Sequence, residues 1–264
     1  MGGVMTIDTK QTFIDAYNSF NSNTFSYELL LSKCTDGASV NEKPTQNAIN
    51  NARGAWYAWI IAIDAMRFAS ANPHSNLLIK LPNAKQFDAH SLYVNSVLSL
   101  INDFRQKLSL IGKVNLVTSN PDFVIINRTL KKNIPLIGNI ITHKNISFID
   151  DIYKDFIGKC ELDDIIGHSG VKTSVRPDRR IQLLHEGSLT KAIYAHLQTR
   201  LWLTQANGVK YYAVSLSWTS ADIAGLRSVA THSIASASLI PQPAVDDVVE
   251  INDSNSADLF FNRI

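Results

Sequence analysis

Stretches of helical period alternate with short apolar runs along this chain, and that alternation predicts its elements. Thr9 to Phe20 has apolar residues at helical spacing and predicts a short amphipathic helix. Phe20 to Lys43 is polar and loop-rich, with weak structure at Tyr27 to Leu31. Pro44 to Ala71 predicts a long helix, Pro44 suiting the first turn and Asn72-Pro73 the stop. Its second half (Trp56, Trp59, Ile60, Ile61, Ile63, Met66, Phe68) is apolar almost all round. That predicts burial under a sheet, with Trp56, Tyr57 and Trp59 in the core.

Leu77 to Leu81 reads as a strand closed by Pro82-Asn83, and Phe87 to Leu110 as a helix. Val114 to Val117 and Asp122 to Ile126 form a strand pair, or one strand entered through a bend, with Asp122 at its mouth. Lys131 to Lys144 is a connector. Ser147 to Ile157 is a helix with Ser147 as its cap. Ile165 to Ser174 is a strand, and Lys172 lies near its end. After a turn at Arg176-Pro177, His185 to Ala206 is a long helix stopped at Asn207-Gly208. Lys210 to Trp218 is a strand, Thr219 or Ser220 caps a helix to about His232, and Ser233 to Pro243 is irregular. Val245 to Ile251 is the last strand, followed by a turn of helix at Ala257 to Asn262. Strands alternating with helices predict an α/β fold, a central mixed sheet flanked by helices on both faces.

Composition narrows the class. With 264 residues, 45% of them hydrophobic, the chain suits one large domain. Residues 1–43 read as an N-terminal extension packed on a 44–264 core. The net charge is only +2, but it is unevenly spread. Val171 to Arg200 holds six basic residues against two acids, and Pro243 to Ile264 holds five acids against Arg263. A near-neutral chain with one concentrated basic segment suits a focused polyanion site. Cys34 and Cys160 make neither a disulfide framework nor a metal array, so a reducing cytoplasm is the expectation. The start, MGGVMTIDTK, does not read as a secretory signal. The most apolar run, Ala55 to Met66, is interrupted by Asp64 and too short to span a membrane, so no membrane partner is expected. Seven histidines are scattered without metal-ligand spacing, and there is no P-loop or dinucleotide fingerprint.

Two constellations carry candidate chemistry. Asp122 opens a strand, Lys172 ends another fifty residues later, and Glu186 follows fourteen residues on. If the strands are neighbours, carboxylate and lysine meet at one sheet edge. A carboxylate can bind Mg²⁺ through oxygen, and a lysine beside it can orient or deprotonate a water. Asp122 as a turn residue and Lys172 as a solvated strand end explain the same spacing. The second constellation is Arg176-Pro177-Asp178-Arg179-Arg180. Arginine can fork onto guanine O6 and N7, and aspartate can accept from cytosine N4. A surface salt-bridge cluster is the competing explanation.

The run K-T-S-V-R-P-D-R-R with its later glutamate, and Pro121-Asp122 some fifty residues upstream, resembles type II restriction endonucleases that recognise CCGG-containing sites. These belong to the PD-(D/E)xK nuclease superfamily. Arg176 lies four residues and Glu186 fourteen residues after Lys172, and both offsets match that branch. The resemblance covers most of the chain from Pro44 to about Trp218. It implies a restriction-endonuclease-like core and Mg²⁺-dependent hydrolysis. It makes Asp122 and Glu186 metal-site acids, Lys172 the catalytic lysine, and the Val171 backbone carbonyl a further metal ligand. Arg176, Asp178 and Arg179 would read the CCGG core, and Arg180 would read bases or contact phosphate. Double-stranded DNA with a palindromic site implies a homodimer or a dimer of dimers.

Two positions depart from the family pattern. A serine often stands two residues before the lysine, where this chain has Gly170. The family also contributes an acid from an upstream helix, four residues after a glycine; Gly54 matches, but Ala58 stands where the acid is expected. Asp64, the nearest acid, lies about 120° away around a helix and is a poor substitute. Gly54 in mid-helix costs roughly 1 kcal/mol relative to alanine, which invites a reason such as close approach by another backbone or by DNA. A DNA-binding protein with impaired cleavage and a structure-selective repair nuclease are the alternative readings.

Overall fold

The computed structural model describes residues 7–20, 25–39, 44–114, 116, 120–131, 133–205, 207–235 and 241–264. Five strands form one mixed sheet in chain order: β1 (Leu77–Lys80), β2 (Phe123–Ile126), β3 (Ile165–Lys172), β4 (Lys210–Ser215) and β5 (Asp247–Glu250). The first three pair antiparallel and the last two join in parallel. Lys80, Phe123, Lys172, Ser215 and Glu250 therefore line up at one end of the sheet.

Helices α1 (Thr9–Asn18), α2 (Tyr27–Ala38) and α3 (Gln46–Ala71) pack together, and α3 also packs on β1. Phe13, Leu30, Leu31 and Cys34 share one core cluster with Trp56, Tyr57 and the sheet. The region expected to be loop thus holds a full helix. In YELLLSKCTDGA the buried Tyr27, Leu30, Leu31 and Cys34 fall at helical spacing, and the polar residues between them hid the stripe. The long helix starts two residues later than expected. Thr45 caps it by accepting from the Ala48 amide, so Pro44 precedes the cap.

The helix expected over Phe87 to Leu110 is broken. A 3₁₀ turn at Ala89–Leu92 is capped by Asp88, and α4 (Asn95–Lys107) begins after Val94, whose N–H bonds the Cys160 carbonyl. Helix α5 (His143–Asp151) starts before the proposed serine cap, because Thr142 and Asn145 form a reciprocal capping box. No strand forms at Val114 or Leu116 among the described residues; Asn115 and Val117 lie outside them.

The largest revision concerns α6, which runs Pro177–Arg200 rather than His185 to Ala206. Arg176 is its N-cap and Pro177 takes the first helical position, where proline's missing N–H has no partner to lose. The stop is equally hidden in the sequence. Trp202 adopts a left-handed φ of 56°, the Leu203 N–H reaches the Gln198 carbonyl, and the Trp202 N–H reaches that of Thr199. This is a Schellman end with tryptophan in the position usually held by glycine. Beyond β4, α7 (Ser220–Leu226) and α8 (Thr231–Ala235) replace one longer helix, and α9 (Ser254–Phe261) closes the described fold.

A small second core of Leu183, Tyr211, Ala213, Leu226 and Val245 lies between α6, α7 and the sheet. Gly187 lets α6 approach the segment before β5, since a Cβ there would lie 2.1 Å from the Ala244 carbonyl oxygen. One turn on, buried Lys191 donates to the Pro243 carbonyl at 2.6 Å and pairs with Asp246 at 2.7 Å. Asp246 in turn accepts from the Tyr211 N–H at 2.7 Å, tying helix, loop and β4 together. Gly187→Ala is expected to destabilise the protein by about 1–3 kcal/mol through this overpacking, read as a lower urea midpoint at unchanged slope.

Candidate active site

Asp122 stands one residue before β2, just beyond the Phe123–Ser169 pair that ends the β2–β3 ladder. Its Oδ2 accepts from the Val171 N–H at 2.6 Å and from the Lys172 Nζ at 3.0 Å. The strands are neighbours, so carboxylate and lysine meet. Burial works against the Lys172 ammonium, but the charges of Asp122 and Glu186 outweigh it and hold the group above the ordinary lysine value.

Glu186 lies on α6, nine residues after Pro177 and well inside the helix. It is 5% exposed. Its Oε1 accepts from the Gln182 amide at 2.8 Å, one turn earlier, and its Oε2 accepts from the Tyr211 hydroxyl at 2.5 Å. Burial, then the Glu186 carboxylate, raises the Tyr211 hydroxyl well above its usual range, so it remains a donor. Gln182 and Tyr211 escaped the sequence reading. Gln182 becomes visible only once the helix starts at Pro177, which places it four residues before Glu186 on the same face. Tyr211 sits on another strand and gives no local signal.

Asp122 and Glu186 thus present two carboxylates within electrostatic reach of one lysine. Together with the Val171 carbonyl this is an oxygen donor set, which suits a hard divalent cation. Among the described residues, no group of three or more His, Cys, Asp or Glu side chains is arranged to hold a metal. Neither of the two α3 positions singled out in the sequence adds an acid to this set. Tyr57 donates to the Ile251 carbonyl at the β5 end, and Trp59 donates to Asp150, which also pairs with Lys80 at the β1 end. Ala58, between them in sequence, is half-buried and carries only a methyl group. Asp64 is engaged elsewhere: it accepts from the Tyr27 hydroxyl and lies 3.8 Å from Arg67. Burial pushes its carboxyl up to about 6.

The arginine-rich segment forms the first turn of α6 and not a separate loop. Arg176 and Asp178 are 64% and 66% exposed and pair at 3.2 Å. Arg179 is half-buried and close enough to depress the Lys172 ammonium. Arg180 turns back into the protein: it pairs with Asp222 at 3.3 Å and donates to the Ala221 carbonyl. The surface ion pairs and the exposed donors of Arg176 coexist. Gly54 is exposed, and a Cβ there would meet nothing within 4 Å. No described backbone approaches it, so packing within the fold does not account for the glycine, and of the two expected reasons close approach by DNA is the one left.

A family model described as the Cfr10I/Bse634I restriction endonuclease matches residues 4–264. The chain belongs to the Cfr10I/Bse634I restriction endonuclease family. It is similar to the type II restriction enzyme Cfr10I of Citrobacter freundii, at 39% identity over 274 residues, covering 100% of this chain and 96% of the other. It is also similar to the solved Bse634I restriction endonuclease, with a TM-score of 0.89 at 32% identity, covering 98% of this chain and 92% of the other. A crystal structure of the type IIF restriction endonuclease Bse634I with cognate DNA matches at a TM-score of 0.88, with the same identity and coverage. Like its relatives the chain is a type II restriction endonuclease, with duplex DNA as partner and the divalent-metal dependence general to such enzymes. No helix among the described residues is long and apolar enough to cross a membrane.

The Asp64 cluster yields a pH test. With its folded-state pKa near 6 and an ordinary unfolded value near 4, Asp64 binds more protons in the native state between those values. Stability should therefore fall as pH rises from about 4 to 6 and level off above, by on the order of 3 kcal/mol. Asp64→Asn should flatten this slope in urea titrations at stepped pH while leaving DNA binding intact. A DNA-binding loss without a change of slope would contradict the placement.

Proposed function

We propose that this family member cleaves both strands of duplex DNA within a CCGG-containing palindrome, using Mg²⁺. The observation that carries the reading is the convergence of Asp122, Lys172 and Glu186, with the arginine-bearing first turn of α6 beside them. Asp122, Glu186 and the Val171 carbonyl are the groups to hold the ion. When bound, the metal neutralises phosphate charge and lowers the pKa of a coordinated water. Lys172, paired to Asp122, donates hydrogen bonds that orient the attacking water or a phosphate oxygen. Arg176 and Arg179 offer bidentate donors for guanine, and Asp178 an acceptor for the cytosine amino group. The Asp222 pair suits Arg180 to bracing the reading turn, with phosphate contact at its remaining donors. A palindromic target fits a two-fold homodimer, or a dimer of dimers. A reducing cytoplasm suits the two free, buried cysteines.

The alternative, specific binding with weak cutting, is favoured by one feature: the methyl group of Ala58 where the family pattern has an acid, with Asp64 committed to Tyr27 and Arg67. Plasmids carrying CCGG variants, incubated with and without Mg²⁺, separate the readings. Discrete fragments only with metal support cleavage, and a gel shift without cutting supports the alternative. Ala58→Glu is expected to raise the Mg²⁺-dependent rate about 10- to 100-fold, the scale of ligand-shell changes at metal sites. An unchanged rate would remove Ala58 from the account. Arg179→Ala should weaken duplex binding by about 1–3 kcal/mol. It should also slow single-turnover cleavage of DNA already bound; normal cleavage at saturating enzyme would confine Arg179 to affinity.

A further inference from the structure

Glu186 is a nearly buried carboxylate, and a buried polar group needs hydrogen-bond partners, which also fix its orientation. Two side chains supply them. The Gln182 amide comes from the same helix and moves with Glu186, so it does not fix the carboxylate relative to Asp122. The Tyr211 hydroxyl comes from β4, next to the strand that carries Lys172. Tyr211 is fully buried, and its own backbone N–H is held by Asp246. Its ring is therefore a rigid post standing on the sheet, with its hydroxyl at the carboxylate.

The post requires space, and Gly170 provides it. A Cβ at position 170 would lie 2.4 Å from the Tyr211 hydroxyl oxygen and 2.5 Å from Leu183 Cδ2. Any side chain there, serine included, collides with the tyrosine hydroxyl. Gly170 has no unusual backbone conformation that would call for glycine on its own account. The glycine is explained by what it leaves room for. Position 170 is also the one where the resemblance leads one to expect a serine hydroxyl, two residues before Lys172.

We infer that Tyr211 is a positioning residue that orients Glu186 for metal binding, its hydroxyl occupying the space a serine at position 170 would use. This rests on the reading of Glu186 as a metal-site acid. A charge-assisted O–H···O⁻ bond is among the stronger hydrogen bonds. Groups that orient metal ligands typically contribute about 10–100-fold to metal affinity. Gly170→Ser alone should be destabilising, because its Cβ would stand 2.4 Å from the hydroxyl oxygen of the buried, rigid tyrosine, whereas Leu183 Cδ2 is the end of a flexible side chain.

The test is a Ca²⁺ titration of the full chain with a fluorescent CCGG duplex, read as anisotropy, with melting temperature measured in parallel. Tyr211→Phe keeps the buried ring and removes only the hydroxyl. It should raise the Ca²⁺ midpoint about tenfold or more, with the metal-free protein still melting as one cooperative folded unit at a lower temperature. Gly170→Ser/Tyr211→Phe returns a hydroxyl beside Glu186 and should bring the midpoint back towards the original. If Glu186→Gln raises the midpoint but Tyr211→Phe does not, the role given to Tyr211 is overturned and the site reading stands. If Glu186→Gln itself leaves the midpoint unchanged, the reading of the site falls, and this inference with it. A folded double variant as defective as Tyr211→Phe overturns the exchange of hydroxyls.

Discussion

The site is ordered by one carboxylate that serves two donors. Asp122 Oδ2 accepts the Val171 N–H and the Lys172 ammonium, so the same oxygen bonds the backbone of β3 and the side chain that follows. The short bond to the backbone amide fixes where β2 begins relative to where β3 ends. The second bond then has little freedom, because Lys172 is the next residue along. An ammonium that is mostly buried is tolerated here only because two carboxylates surround it. Removing Asp122 would leave that ammonium without its ion pair, and Glu186 adds a second favourable charge, so the three are electrostatically coupled.

The third member of that unit rides on α6, and its accuracy depends on how the helix is seated. Gly187, directly after Glu186, brings the helix axis close to the Ala244 carbonyl. Lys191 and Asp246 then lock the approach, and Asp246 holds the amide of Tyr211, whose hydroxyl meets Glu186. Helix, loop and strand are joined in a closed circuit of polar contacts around a small apolar cluster. A closed circuit resists displacement of any one member more than a chain of the same contacts would.

The sequence made the fold class and most strands legible, because strand ends and apolar runs are local features, whereas spacing left the acid–lysine pair open and the family resemblance pointed to it. Leu77–Lys80, Ile165–Lys172 and the start of β4 at Lys210 lie where alternation and turn residues put them. Errors fell where a tertiary partner overrides local preference. Arg176-Pro177 read as a turn, although proline is equally at home in the first turn of a helix. The end of α6 was hidden because tryptophan holds the left-handed position, and a strand-to-helix contact such as Tyr211 to Glu186 leaves no trace in spacing. Gly170 stood out as a departure from a pattern, but its reason lies forty-one residues away in sequence and next to it in space.

Because α6 starts at Pro177, the residues proposed to read bases and the proposed metal-site acid Glu186 stand on one helix. Had the arginines stood in a loop, a base contact could have been absorbed by local rearrangement before reaching Glu186. On one helix, Pro177 and Glu186 are separated by nine residues, or about 13.5 Å of rigid rise. A rigid helix would pass a shift of its first turn on to Glu186 except where other contacts pin it. The opposing constraint is the Arg180–Asp222 pair, which anchors the same turn to α7, together with the Lys191 clamp further along. Glu186 lies between these two anchors. On the proposal that Arg179 meets a base, that contact would act on a helix pinned on either side of Glu186. Of the two donors to Glu186, Gln182 travels with the helix and Tyr211 stays on the sheet, so a turn of α6 changes the Glu186–Tyr211 geometry first.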